Sequence, residues 1–233
     1  MTATMSADLS RLFFVAAPFT LLLSVAIDLF GPPAPVDMAK ITGAQLFWRL
    51  AVPGLFSAFA QLWISNLLLR SAESPRTAFG AALVMFPVYL AAQFLFVLPI
   101  SVAAALLAAL PFGAGYAVLL VPGLYLFARL MFVAAAVAMI DRTSPIAILR
   151  RGWAISQDQA LPLCLFLVIG VFSVIGIGIL AESTGAAFDA GARLAGLVVI
   201  GNFGHAVLVG VGSCFITVGT AAAGAAAYRL MAR

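Results

Sequence analysis

Charge is scarce in this chain of 233 residues, with 12 Lys and Arg against 8 Asp and Glu, or 9% of all positions, where soluble domains carry about a quarter. That scarcity, beside a hydrophobic content of 65%, excludes a water-soluble fold, because a chain of this length cannot hide so much apolar surface from water. The net charge of +4 comes from isolated cations near the ends of apolar runs, so a nucleic-acid surface is not expected either. Histidine occurs once and cysteine twice. Cys164 and Cys214 lie inside apolar stretches without CxxC or Cys/His spacing, which excludes a recognisable thiolate metal centre and makes both packed apolar side chains. No metal and no cofactor is expected.

What the chain does have is long, continuous, Leu/Ala/Phe-rich runs. A membrane β-barrel would show short alternating segments instead, so the fold class expected is an all-α polytopic membrane protein, a single integral membrane domain over 1–233. Helices then satisfy the backbone groups inside hydrocarbon. Six spans are expected near 12–30, 51–69, 84–110, 116–140, 161–180 and 194–228. The first run, Leu12 to Phe30, resembles a signal peptide in place, but its length, Asp28 and the lack of an A-x-A site favour a retained helix. Cleavage there would leave five spans, and re-entrant segments could replace a full third or sixth span. Pro32, Pro33 and Pro35 open a polar loop expected to end in a short interfacial helix carrying Phe47 and Trp48. Pro87 and Pro99 can kink the third run, and Pro111 to Gly115 reads as a tight turn.

The cations orient the chain. With the N-terminus on side one, that side holds Arg11, Arg70, Arg76, Arg142, Arg150, Arg151, Arg229 and Arg233, and the other holds Lys40, Arg49 and Arg193. Side one is the cytoplasm by the positive-inside rule, with both termini inside, and the expected location is a bacterial inner membrane, multi-pass. On that side Ser74-Pro75 and Ser144-Pro145 each follow a helix end and precede another helix, with Ser as N-cap and Pro at the first helical position. After Ser144, helical spacing places Ile146, Leu149 and Trp153 on one face and Arg150, Arg151, Gln157 and Asp158 on the other. An amphipathic helix at the cytoplasmic interface is expected here.

The segment Leu120-Val-Pro-Gly-Leu-Tyr-Leu-Phe-Ala-Arg-Leu-Met-Phe132, followed by Asp141-Arg-Thr-Ser-Pro-Ile-Ala-Ile-Leu-Arg-Arg-Gly-Trp-Ala-Ile-Ser156, resembles a pattern in bacterial multi-spanning proteins. These include the membrane domain attached to some glycerophosphodiester phosphodiesterases and related stand-alone inner-membrane proteins. The resemblance runs from about Ser74 to Leu230 and implies a six-helix fold without an activity. The phosphodiesterase domain of the attached kind uses His and acidic metal ligands that have no counterpart here, so no catalytic residue is carried over.

Candidate site residues are few. Arg129 falls near the middle of the fourth run, where an Arg costs about 2.5 to 3.5 kcal/mol on insertion scales. It reads either as a contact to an anion or lipid phosphate, or as a structural Arg satisfied by carbonyls released at Pro122-Gly123 or snorkelling to the interface. Polar stripes recur on helices: Ser57, Gln61 and Ser65; Tyr89, Gln93 and Ser101; His205, Ser213 and Thr217 with Asn202 adjacent. They are expected to face inward, as a polar path or as interhelical hydrogen bonds. His205 lacks companions at metal spacing, and Asp28 is the nearest spanning acid, so a hydrogen-bonded packing role is expected. The small-residue tail Gly219 to Ala227 invites close helix packing, within the chain or against a partner.

Three function classes follow. A non-enzymatic module organising lipid or a partner protein fits the amphipathic helix and the lack of a nucleophile–base set. A small-solute or ion permease would use Arg129, Gln61, Gln93, Asn202 and His205 along an interior path. An intramembrane enzyme on lipid would need clustered acids, His or Ser/Lys pairs at one depth, and the sequence offers none. The expected partners are membrane lipids, and a membrane protein or a second copy; nucleic acid is not among them.

Overall fold

The computed structural model describes residues 10–33, 41–70, 74–107, 114–142 and 144–232. Lys40, residues 108–110 of the third run and residues 111–113 of the expected turn lie outside the described residues. The described elements are helical, and six helices are long and apolar enough to cross a membrane. We number seven helices: α1 (Ser10–Phe30), α2 (Gly43–Leu69), α3 (Pro75–Leu107), α4 (Ala114–Leu126 continued by Phe127–Met131 and Ala134–Asp141), α5 (Pro145–Ile155), α6 (Gln157–Leu194) and α7 (Val198–Met231).

The described residues divide into two compact units. One comprises the chain through Ile64 with Phe172–Thr220, and the other Ser65–Val171 with the chain from Ala221 onward.

In the first unit, α1 is broken over residues 17–20. Pro18 supplies no N–H to the preceding turn, and the Thr20 hydroxyl and N–H both bond the Ala16 carbonyl instead. Phe19, at the break, packs on Phe56, Phe59 and Trp63 with centroids 5.1–6.1 Å away. The expected interfacial piece around Phe47 and Trp48 is not a separate helix but the first turns of α2. Thr42 and Gln45 form a reciprocal capping box, which supplies partners for two backbone donors. A π-helical turn over Phe47–Ala51 then carries the helix into Pro53, whose ring and missing N–H disfavour regular α geometry there. Arg49 joins the two helices, 2.8 Å from Asp28 and 2.7 Å from the Pro32 carbonyl.

The largest departure from expectation is in α6. The segment Glu182 to Arg193, expected as an outer loop after Leu180, is helical throughout, and the helix ends only at Leu194. Gly196, at φ +75°, makes the turn, since a residue with a Cβ rarely adopts that conformation. α7 then returns antiparallel: a Cβ at Gly185 would overlap the His205 ring, and one at Gly204 the Phe188 ring. This intimacy gives the polar residues of the segment partners across the hairpin, so the helix does not need to end where hydropathy falls.

In the second unit, Ala78, Ala82, Met85, Tyr89, Ala92 and Phe96 form the buried stripe of α3. Their alternating steps of four and three residues make the narrow seam of a helix buried along one side only. Ser101, expected to face inward with Tyr89 and Gln93, is exposed. The end of α4 is the centre of this unit, buried continuously from Val133 to Met139. Arg142 terminates it in the left-handed region at φ 46°. Because a non-glycine there costs about 1 kcal/mol, Arg142→Gly is expected to stabilise the protein by roughly that amount in a denaturant titration in detergent. Ser144 caps α5 as expected, accepting from the Ala147 N–H with Pro145 at the first turn, and Ser74 does the same for Thr77 at the start of α3.

Candidate functional site

α5 folds back on the end of α4 because of one glycine. A Cβ at Gly152 would lie 3.1 Å from the Leu130 carbonyl oxygen and 3.2 Å from that of Arg129. These carbonyls belong to a second π-helical turn, Phe127–Met131, closed by the Phe132 N–H on the Phe127 carbonyl at 3.0 Å. The wider turn places Arg129 against α5, and the residue is 5% exposed.

Arg129 donates three side-chain hydrogen bonds there. Nη1 donates to the Tyr125 hydroxyl at 2.9 Å, Nη2 to the Trp153 carbonyl at 3.0 Å and Nε to Ser156 Oγ at 3.3 Å. Its central carbon lies 3.6 Å from the centre of the Trp153 ring. Ser156, itself buried, reaches the carbonyls of Arg129 and Trp153 in return. The partners thus come from Tyr125, from Trp153 near the end of α5 and from Ser156 just past it, and not from carbonyls at Pro122-Gly123. Charge-assisted hydrogen bonds contribute about 1.5–3 kcal/mol each and a desolvated cation–π contact about 2, enough to offset the cost of an Arg at this depth.

α5 packs within the protein through neither of the two expected faces. Ile148 and Gly152 are the buried positions, whereas Ile146 is 69% and Trp153 40% exposed. Packing against α3 and α4 selects the side that carries glycine, because only there can the backbones approach. On the outer side, Asp141, Ala147, Arg150, Arg151 and Ala154 line an open basin of about 480 Å³. Arg151 Nε lies 3.6 Å from Asp141 Oδ2.

The other candidate residues sit elsewhere. Gln93 hydrogen-bonds the Tyr89 hydroxyl, in the same unit as Arg129. Gln61, Asn202 and His205 belong to the first unit. Asn202 accepts from Arg193 at 2.7 Å, and Arg193 also pairs with Asp189 at 2.8 Å. His205 Nε2 lies 3.2 Å from Glu182 Oε1. The acid beside His205 is therefore Glu182, not Asp28, and it escaped sequence reading because it was assigned to a loop. Arg129, Asn202 and His205 each have separate partners. Also in the first unit, Thr20, Ser24, Ser57, Ser213 and Thr217 contribute to a cavity of about 260 Å³. Ser57 and Thr217 bond each other at 3.1 Å, and Ser213 bonds the Val209 carbonyl. Asn66, buried and donating to the Ala78 carbonyl, was not singled out by the stripe pattern.

These features define a multi-spanning α-helical membrane protein. No family model, no curated protein and no solved structure matches the chain.

Proposed function

We propose that the chain is a non-enzymatic, multi-pass protein of a bacterial inner membrane, both termini cytoplasmic, that organises lipid or a partner protein through α5. The similarity to the membrane domain of glycerophosphodiester phosphodiesterases belongs to the same reading. One observation carries it: α5 turns Ile146 and Trp153 outward beside the exposed Arg150 and Arg151, the mixture of apolar and basic side chains that suits a headgroup layer. Arg129, held by Tyr125, Trp153 and Ser156, has the role of fixing α5 in place.

The test is depth. With Cys164 and Cys214 replaced, a bimane probe on Ile146→Cys in liposomes is expected to be quenched by lipids brominated near the headgroup. Absence of quenching by bromine at any depth overturns the interfacial placement. Labelling of single cysteines at Ser74, Ser144 and Ser183 is expected to place the first two in the cytoplasm and the third outside.

The hydroxyl-bearing cavity of the first unit favours a second reading, a permease for a small solute. Uptake into proteoliposomes that falls in Ser57→Ala and Thr217→Val would decide for it.

A further inference from the structure

We infer that the basin beside α5 is a headgroup site for an anionic glycerophospholipid, with Arg150 and Arg151 holding its phosphodiester and Asp141 accepting from a headgroup hydroxyl. The inference rests on the interfacial placement of α5 proposed above and adds the ligand's chemistry. The basin exists because α4 stops at Arg142 and α5 restarts at Ser144, which leaves Asp141 facing the side of α5 that carries Ala147, Arg151 and Ala154. Two alanines keep its wall low. Arg150 forms no hydrogen bond or ion pair with a described residue, and the 3.6 Å separation of Arg151 from Asp141 exceeds that of a tight charge-assisted bond, about 2.8 Å.

Charge decides among ligands. Two arginines and one aspartate sum to +1, which a phosphodiester monoanion balances, whereas a zwitterionic headgroup leaves the excess uncompensated. Guanidinium groups bind phosphate oxygens in pairs, and a carboxylate among them is useful only to a ligand that also donates. Phosphatidylglycerol has both features. The source is lipid, not a soluble phosphate, because Ile146 and Trp153 are one helical turn from Arg150 on either side and exposed, so apolar surface adjoins the charge.

Native mass spectrometry of the full chain in detergent, offered phosphatidylglycerol, phosphatidylethanolamine and phosphatidylcholine in equal amounts, tests this. Phosphatidylglycerol is expected to be retained selectively, and Arg150→Gln/Arg151→Gln to lower its retention about thirtyfold, given about 1 kcal/mol per basic residue at a lipid surface, while phosphatidylcholine retention and elution volume stay unchanged. Asp141→Leu is expected to abolish the preference over phosphatidylmethanol, a monoanionic phosphodiester without headgroup hydroxyls. Equal retention of the three lipids, an unaffected double variant, or displacement of phosphatidylglycerol by millimolar inorganic phosphate overturns the inference. Quenching of the Ile146 probe without lipid selectivity sinks the headgroup site alone, whereas absent quenching sinks the placement of α5 beneath it.

Discussion

Arg129→Lys is expected to destabilise the protein more than Arg129→Leu, by about 3 against about 2 kcal/mol, because a buried charge that keeps too few partners costs more than orphaned neutral acceptors. The guanidinium reaches Tyr125, Trp153 and Ser156 at once, with its central carbon 3.6 Å from the centre of the Trp153 ring. An ammonium on a shorter reach cannot serve three acceptors in that fork geometry, yet remains charged. Leucine removes the charge and its desolvation cost; the Trp153 carbonyl keeps the Ser156 hydroxyl as donor, and Tyr125, 39% exposed, can turn to another partner. Unfolding in mixed micelles with increasing SDS gives the order directly. If Lys were tolerated better than Leu, Arg129 would be serving as a point charge toward something outside the chain. A double-mutant cycle with Ser156→Ala is expected to show coupling of about 1 kcal/mol.

Gly224→Leu carries the second large effect. A Cβ at Gly224 would stand 2.7 Å from the Phe132 carbonyl oxygen, a backbone atom just past the π-helical turn of α4, which cannot move aside alone. α7 must separate from α4, at a cost of about 3 kcal/mol, the upper part of the range for overpacking. Gly219→Leu, in the same small-residue tail, meets nothing within 4 Å and is expected to change stability by less than about 0.5 kcal/mol. The pair separates two readings of the tail: a surface kept for a partner would tolerate both substitutions in the isolated protein, whereas packing within the chain rejects only the first. Ala221, Ala225 and Ala227, all buried, accord with packing within the chain.

Hydropathy was a good guide to helices and a poor one to their ends. The spans of α3 and α4 and the caps at Ser74 and Ser144 follow from local chemistry, in which a serine oxygen beside a proline serves N–H groups a few residues away. α6 defeated the same reasoning, because Glu182, Asp189 and Arg193 lower the hydropathy of a segment that stays helical. Their partners Asn202 and His205 lie on the returning helix, and no window of sequence contains both sides of a hairpin. On α5, helical spacing groups Ile146, Leu149 and Trp153 but does not tell which side packs within the chain. Ile148 and Gly152 do so, because Gly152 can approach the Arg129 and Leu130 carbonyls.

Sequence by itself determined the class of this protein: 65% hydrophobic residues suit a bilayer, and long continuous apolar runs suit helices, both being local properties indifferent to tertiary partners. Tertiary structure alone decided what Arg129 binds, that His205 meets Glu182, and that Asp141, Arg150 and Arg151 share one basin. Hydrogen bonds and ion pairs act over about 3 Å, and only folding brings positions distant in the chain within that range.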